Sequence, residues 1–382
     1  MPPIPLLLSA GEASGDMYAA QLATALEARL DVQLFGMGGP LMQAAGVEIV
    51  THYEQVAVVG ITEIVKHLPS LIQAMDRLVD EALKRKPALA ILTDFPGFHL
   101  RLARKLKSQD IRNVYYICPQ FWAWRPWRVN LIRRRFAKAL CIFPFEKDFF
   151  ASAGVPTEFI GHPLVGAVTA TKDRKQFCDA HALVPSRPIV TVLPGSRSAE
   201  LAHHLPVLQE ACVRIHGKVP AQFVVAAANA KDVPLLKSGW PHGLKVCVVE
   251  GQTYDALAAA DAAIVSSGTA TVEAALLDAP MVVVYRVSPL TATLAKPLVR
   301  TPFFAMVNLI AEKKVVPELV QDDFTPDRVA SEVLQLLQDP NARTKMRGSL
   351  AEVRARLGPP GAVARAADAI TALLRKSAGN AS

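Results

Sequence analysis

The sequence lacks the features that mark disulfide-bonded, metal-binding and membrane-spanning proteins. Its five cysteines are scattered and no two have C-x-x-C spacing, so we expect a reducing compartment and no disulfide framework. D-x-D pairs and the H-E-x-x-H motif are absent, so no metal site is predicted. Because there is no basic amino-terminal segment and no run of about 18 apolar residues, neither a signal peptide nor a transmembrane helix is predicted.

The composition is that of a globular protein with a net positive charge. Of its 382 residues, 51% are apolar and 20% are charged, which is typical of folded domains and excludes a disordered chain. The length exceeds one ordinary core and suits two α/β domains. The formal net charge of +8 favours an anionic partner, such as a phosphate, an acidic lipid or a nucleic acid.

Short apolar runs alternate with helical patterns along most of the chain. This alternation predicts an α/β protein with two doubly wound, Rossmann-like units, each a parallel sheet covered by helices, facing a ligand cleft. The alternation restarts after His162 and Pro163. We therefore place an N-terminal domain at 1–165, a C-terminal domain at 166–345 and C-terminal helices at 346–382.

The first candidate loop is SAGEASGD, residues 9–16, after a predicted buried strand. Its small residues let backbone amides approach a ligand, and the start of the following helix favours negative charge. The spacing matches neither the dinucleotide motif nor the P-loop, so a plain tight turn is an equal alternative. Glu12 and Asp16 either cap the helix or touch a substrate.

The second candidate loop is LTDFPGF, residues 92–98, in which Asp94 comes directly after an apolar strand. Burial at the end of that strand would raise the pKa of Asp94 and suit a general base. The alternative is an aspartate that stabilises the turn before Pro96 and Gly97, a common role for this residue type.

Two loops in the second half are suited to binding phosphate. The strand PIVTVL ends at Pro194, and Ser196 and Arg197 follow immediately before a predicted helix. Backbone amides at a helix start and a guanidinium together suit a diphosphate, although an exposed arginine in a capped turn is the alternative. His203 and His204 are adjacent on that helix, and we expect them at the surface or in a capping position.

The second of these loops is SSGTATVEAAL, which also opens a helix after an apolar strand. Ser267, Gly268 and Thr269 would offer amides to a phosphate, and Glu273 one turn later can accept two ribose hydroxyls. A glutamate favoured by the helix dipole would explain Glu273 alone, but it does not explain the rest of the run.

One stretch is apolar and strongly basic at once. Residues 118–136 contain three of the four tryptophans and five arginines. Tryptophan beside arginine is typical of an interface with a membrane or an amphiphile. A base-stacking surface for nucleic acid is the alternative, although no recognised binding module surrounds the cluster.

Ten motifs in order resemble the lipid-A-disaccharide synthase family along nearly the whole chain. They are SAGEASGD, GMGGPLMQAAG, VVGITEI, LTDFPGF, CPQFWAWRPWR, FPFE, GHPL, LPGSRSAE, SSGTATVEAAL and NLIAEKKVVPELVQ. The resemblance implies a metal-independent, inverting glycosyltransferase of the glycosyltransferase B-type fold that needs no cofactor. It implies UDP-2,3-diacylglucosamine as donor, 2,3-diacylglucosamine 1-phosphate as acceptor, and UDP plus a β-1,6-linked disaccharide 1-phosphate as products.

The resemblance also implies roles for individual residues. Asp94 and Arg197 fall on positions that the family needs for activity. The UDP part of the donor would be held by Ser196, Arg197, Ser267, Gly268, Thr269, Glu273 and Asn308. The acceptor and membrane side would include Glu12, Ser14, Trp122, Trp124, Trp127, Arg125 and Arg128. The sequence after NLIA is more basic than the family pattern, so no role is carried over to residues 312–314.

Partners and location follow from the same resemblance. We expect a peripheral protein on the cytoplasmic face of the bacterial inner membrane, with residues 58–72 and 121–136 forming a membrane- and acyl-facing patch. The C-terminal helices would pack back on the first domain or be exchanged in a homodimer. Two rivals stay open: a UDP-N-acetylglucosamine 2-epimerase of the same fold and a basic nucleic-acid-binding protein. Acyl-chain preference, oligomeric state and depth of insertion are not readable from the sequence.

Overall fold

The computed structural model describes residues 2–56, 68–288 and 301–379. The chain divides into two compact units. The first consists of Met1–Pro163 and Gly358–Ser382, and the second of Leu164–Leu357. The chain therefore leaves the first unit once and returns to it with its last helix.

The first unit contains a parallel sheet of seven described strands. They are β1 (Ile4–Ala10), β2 (Val32–Gly38), β3 (Glu48–His52), β4 (Leu89–Thr93), β5 (Asn113–Tyr116), β6 (Lys138–Cys141) and β7 (Thr157–Phe159). The order across the sheet is β3-β2-β1-β4-β5-β6-β7. All five residues of β4 are buried, as expected for a central strand covered on both faces.

Eight described α-helices belong to this unit. They are α1 (Ala13–Glu27), α2 (Pro40–Ala44), α3 (Leu68–Arg85), α4 (Pro96–Lys107), α5 (Phe121–Trp124), α6 (Val129–Arg135), α7 (Pro144–Ser152) and α16 (Ala362–Gly379). One core cluster joins strand residues such as Tyr115 to helix residues such as Leu78, Leu102 and Ile132. Burial of these apolar side chains fixes α3, α4 and α6 against the sheet.

The C-terminal helix α16 packs on the chain's own first unit. It lies against α1, where Arg29 Nε contacts Asp368 Oδ1 at 2.7 Å. Arg365 Nε donates to the carbonyl of Ile160 at 2.7 Å. The first unit ends at Pro163, close to the predicted boundary at 165, whereas the second unit continues to Leu357 instead of ending at 345.

The second unit contains a parallel sheet of six described strands. They are β8 (Ile189–Leu193), β9 (Gln222–Ala227), β10 (Val246–Glu250), β11 (Ala262–Ser266), β12 (Met281–Tyr285) and β13 (Glu318–Val320). Its described helices are α8 (Arg174–Ala180), α9 (Ser198–His216), α10 (Val233–Lys237), α11 (Thr253–Ala258), α12 (Thr269–Leu276), α13 (Met306–Ala311), α14 (Pro326–Gln338) and α15 (Pro340–Arg356). The strand order is β10-β9-β8-β11-β12-β13.

Both sheets reverse their strand order at one point. The reversal falls between β1 and β4 in the first unit and between β8 and β11 in the second. Ligands of doubly wound proteins bind outside the carboxyl ends of the strands at such a reversal. The predicted fold class, two parallel α/β units with a helical C-terminal segment, is confirmed, and the four predicted loops follow the four strands at the reversals.

Candidate active site

In the first unit, the loops after β1 and β4 lie in direct contact. A Cβ atom added to Gly11 would lie 2.1 Å from the Phe95 ring, so only glycine lets the two loops approach this closely. Asp94 and Phe95 both have φ near 47°, a left-handed conformation that is unusual for residues other than glycine. The loop that carries Asp94 is therefore held in a conformation that its own sequence does not favour.

Hydrogen bonds to the Asp94 backbone hold this conformation. The Asp94 carbonyl accepts from the Tyr115 hydroxyl at 2.8 Å and from His99 Nδ1 at 2.7 Å. A carbonyl only accepts, so Nδ1 carries the His99 proton, and Nε2 accepts from the buried Ser9 hydroxyl at 2.8 Å. Burial lowers the pKa of His99 to about 4, which keeps the ring neutral.

The surroundings of the Asp94 carboxyl group raise its pKa. Burial, with a smaller contribution from the negative charge of Glu12, raises its pKa to about 6, although the Phe95 N–H opposes the shift. A carboxylate with this pKa is ionised at pH 7 and is more basic than an ordinary aspartate. The direction of this pKa change is the one that the sequence predicts, and the role of Asp94 as a base stays a prediction.

The acidic residues of the first loop have separate roles. Glu12 and Ser14 are exposed at the start of α1. Asp16 is buried and accepts from the backbone N–H groups of Gly39, Leu41 and Met42 at 2.7, 3.1 and 3.2 Å. Asp16 therefore caps α2, not its own helix, and is not available to a substrate.

The tryptophan- and arginine-rich segment divides into a packed part and an exposed part. The Trp122 indole N–H donates to the buried Glu146 carboxyl at 3.2 Å, and its ring packs edge-on against Phe145. Trp127, by contrast, is 62% exposed, and the Arg128 guanidinium lies 5.5 Å from its ring centre. We assign Trp122 to packing. The Trp124 side chain and residues 58–67 of the predicted patch lie outside the described residues.

In the second unit, the loop after β8 is organised by Glu200. Its carboxylate accepts from the backbone N–H groups of Ser196 at 3.1 Å and Arg197 at 3.4 Å, and contacts Arg197 Nη1 at 2.7 Å. Gly195 has a φ of 123°, and a Cβ atom there would lie 2.6 Å from the Glu200 carboxylate. Arg197 still has 70% of its side-chain surface exposed, so an anion can reach it.

The loop after β11 presents the start of α12 to solvent. Gly268 has a φ of 146° and no heavy atom within 4 Å of a Cβ position, and Thr269 is exposed. One turn along, Glu273 accepts from the Tyr254 hydroxyl at 3.2 Å, and burial raises its pKa. The space at Gly268 and the exposed helix start suit an anionic group.

The side chain of Asn308, which we predicted to bind the UDP part of the donor, makes four hydrogen bonds within the chain. Its Nδ2 donates to the carbonyl of Val316 at 3.0 Å and to Glu318 Oε1 at 2.7 Å. Its Oδ1 accepts from the backbone N–H groups of Val315 and Val316. Because both donors and both acceptor positions of the amide are used, the buried side chain holds the 305–318 segment together.

Two histidines organise the strand ends in a way that the sequence analysis did not predict. His99 in the first unit fixes the Asp94 backbone, as described above. His204 in the second unit is fully buried, and the prediction of a surface or capping position for it is wrong. It lies 2.7 Å from the Pro194 carbonyl and accepts from the Arg286 N–H at 3.0 Å, which joins the ends of β8 and β12.

Two kinds of feature are absent from the described part of the chain. Within residues 2–56, 68–288 and 301–379, no group of three or more His, Cys, Asp or Glu side chains is placed to hold a metal ion. None of the helices in those ranges combines the length and the hydropathy that a bilayer-spanning segment needs.

Two parallel sheets of this kind, each covered by helices and with loops at the reversal of strand order, form the architecture of GT-B glycosyltransferases. The calicheamicin glycosyltransferase CalG4 aligns with a TM-score of 0.59 and 18% identity over 98% of this chain and 99% of that chain. UDP-GlcNAc 2-epimerase from Neisseria meningitidis bound to UDP-GlcNAc aligns at 0.61 and 13% over 98% and 100%. Identities this low show the fold alone.

The sequence comparison is more specific than the fold. Residues 6–366 match the family model of lipid-A-disaccharide synthetase. Lipid-A-disaccharide synthase of Solibacter usitatus (strain Ellin6076) is 44% identical over 371 residues, which is 97% of each chain. The chain belongs to the lipid-A-disaccharide synthase family. The resemblance of the ten motifs is confirmed, and the protein is a glycosyltransferase of lipid A biosynthesis.

Proposed function

We propose that the chain transfers a 2,3-diacylglucosaminyl group from its UDP donor to 2,3-diacylglucosamine 1-phosphate, with inversion at the anomeric carbon. The products are the β-1,6-linked disaccharide 1-phosphate and UDP. Membership in the family supports the reaction class. The single structural observation that carries the mechanism is the Asp94 carboxylate, raised in pKa and held at the strand reversal of the first unit.

Asp94 would act as the base of the transfer. Its carboxylate takes the proton from the acceptor 6-hydroxyl while that oxygen forms a bond to the donor anomeric carbon. The bond from this carbon to the diphosphate breaks, and UDP leaves with the electron pair. Inversion needs only one base, on the face opposite the leaving group, and the transition state resembles an oxocarbenium ion.

The second unit would stabilise the departing diphosphate. Arg197 is exposed and can exchange its contact with Glu200 for a contact with phosphate oxygens. Amides at the starts of α9 and α12 would add hydrogen bonds, through Ser196 in the first case and Ser267, Gly268 and Thr269 in the second. Glu273, held by Tyr254, is placed one turn into α12, where a ribose would extend from the diphosphate.

The setting of the enzyme is also part of the proposal. Both substrates carry acyl chains, so we place the enzyme peripherally on the cytoplasmic face of the inner membrane. Glu12, Ser14, Trp127, Arg125 and Arg128 are exposed or partly exposed on the first unit, which supports an acceptor and membrane side there. The helix α16 packs on the first unit of its own chain. A homodimer could therefore form without an exchange of this helix between the two copies.

The function is tested by incubating the purified chain with both acylated sugars and analysing the products by mass spectrometry and NMR. We expect a β-1,6-linked disaccharide 1-phosphate and one UDP per linkage formed. An incubation with UDP-N-acetylglucosamine alone tests the epimerase, whose fold this chain shares. Epimerised donor in that incubation, or no disaccharide in the first, would contradict the proposal.

A further inference from the structure

A cavity of about 370 Å³ lies in the first unit, between helices α3, α4 and α6. Its size is within the range of small-ligand sites. The lining combines apolar and cationic side chains: Met75, Pro96, Gly97, Leu100, Arg101, Arg104, Lys105, Trp127, Arg128, Leu131 and Arg135. No residue that we have placed at the donor site belongs to this set.

The apolar part of the lining comes from all three helices. Met75 of α3 and Leu100 of α4 are buried, and Leu131 of α6 is partly buried beside them. Trp127 is largely exposed although it lines the cavity. An exposed tryptophan over an aliphatic lining is suited to an amphiphile, whose chain needs an apolar wall.

The cationic side chains of the lining outnumber the carboxylates that pair with them in the described part of the chain. Lys105 contacts Asp76 at 2.6 Å, but none of the four arginines forms an ion pair with a carboxylate among the described residues. Arg101 and Arg135 donate to backbone carbonyls, and the buried Nε of Arg128 has no hydrogen-bond partner there. Burial, reinforced by Arg125 and Arg101, lowers the pKa of Arg128.

Four arginines gathered in this way repel one another, and partial burial adds to the cost at Arg128 and Arg135. An anionic group bound among them would relieve the repulsion and satisfy the free N–H groups with charge-assisted hydrogen bonds. The planar guanidinium fork suits a phosphate in particular. The chemistry that fits the cavity is therefore a phosphate monoester joined to an aliphatic chain.

We infer that this cavity binds the acceptor, with the arginines on its 1-phosphate and the apolar wall on one acyl chain. The inference rests on the proposed function. A membrane phospholipid has similar chemistry, but the position of the cavity favours the acceptor. Pro96 and Gly97 line the cavity and directly follow Asp94 and Phe95 in the chain, so a molecule bound here lies beside the loop of the base.

The test uses the double variant Arg101→Gln/Arg104→Gln, whose side chains are exposed and leave the core intact. The probe is 2,3-diacylglucosamine 1-phosphate, measured by calorimetry without donor and below its micelle concentration. We expect the affinity for this probe to fall about 10-fold or more, because two charge-assisted contacts to its phosphate are lost. The KM for acceptor should rise by the same factor, while the affinity for UDP stays unchanged.

A matched control is Arg77→Gln, which removes a charge from an exposed arginine of α3 that does not line the cavity. It should bind the acceptor like the wild type. A second comparison uses the same acyl sugar without its phosphate, which should bind wild type and double variant equally. Thermal unfolding of all three proteins shows that the fold is kept.

The outcomes separate the two proposals. Unchanged acceptor affinity in the double variant, with normal wild-type turnover, overturns the cavity assignment and leaves the proposed function intact. If the double variant loses binding to phosphatidylglycerol vesicles but binds the acceptor normally, the assignment is also overturned, because the cavity would then bind a bilayer lipid. If the wild type makes no disaccharide, the proposed function fails. A 10-fold weaker binding of the acyl sugar phosphate by the double variant would still support the assignment of the cavity as its binding site.

Discussion

The pH dependence of turnover tests the role of Asp94 most quantitatively. If Asp94 is the base, kcat/KM falls as the carboxylate is protonated, with a midpoint at the pKa of about 6. Such a group is about 90% ionised at pH 7 and about 10% ionised at pH 5, so kcat/KM should fall roughly 10-fold between them. An aspartate with the ordinary pKa of 3.8 would change little over this range.

The variant Glu12→Gln tests what raises the pKa of Asp94. Burial is the larger reason for the raised pKa of Asp94 and the Glu12 charge is the smaller one. Removing that charge should move the midpoint of kcat/KM to lower pH by a fraction of a pH unit and leave most of the shift in place. Glu27→Gln is the control, because it makes the same charge change at the other end of α1.

The assay is the initial rate of UDP release at subsaturating acceptor, measured from pH 4.5 to 8 at constant ionic strength. A profile that is flat between pH 5 and 7 would refute the assignment of the base. A midpoint that moves equally in the Glu12 and Glu27 variants would show that a general charge effect, and not the local contact, sets the pKa.

Four further variants test other parts of the account. Arg197→Ala should lower kcat on the order of 10²- to 10³-fold, measured at saturating substrates, because it removes charge stabilisation of the leaving diphosphate. Tyr115→Phe should lower kcat with little change in KM, since it releases the Asp94 carbonyl but touches no substrate. Asn308→Ala should lower the free energy of unfolding by about 2 kcal/mol or more in urea titrations, because it breaks the four hydrogen bonds of a buried side chain. Asp94→Asn should raise the free energy of unfolding at pH 7 by up to about 3 kcal/mol, and the gain should vanish below pH 4, because the raised pKa makes the ionised form costly.

The fold was readable from the sequence because apolar runs and helical periodicity alternate without interruption. Central strands such as β1 and β4 are continuous apolar segments, and the loops that follow them are rich in small residues. The return of α16 to the first unit was one of two alternatives, since an amphipathic helix indicates a partner surface but not which one. In this single chain, α16 packs on α1 and Arg29 pairs with Asp368, while an exchange of the helix in a homodimer stays untested.

The site was readable only where a residue directly follows a strand. Asp94 directly follows β4 and Arg197 lies four residues after the end of β8, so both stand at the strand reversals. His99 and Tyr115 do not, because their link to the Asp94 carbonyl depends on a left-handed turn that the sequence does not announce. Asn308 shows the opposite case. Its motif is recognisable in the sequence, but only the structure shows that its amide group already makes four hydrogen bonds within the chain.

The central claim is that a carboxylate of the first unit takes the acceptor proton while the second unit holds the nucleotide. It is tested most directly by the rate of disaccharide formation in Asp94→Asn at saturating donor and acceptor, with UDP affinity measured on the same protein. We expect a rate lower by about 10²- to 10⁴-fold and an unchanged affinity for UDP. A variant that forms disaccharide at nearly the wild-type rate, or that loses UDP binding instead, would contradict it.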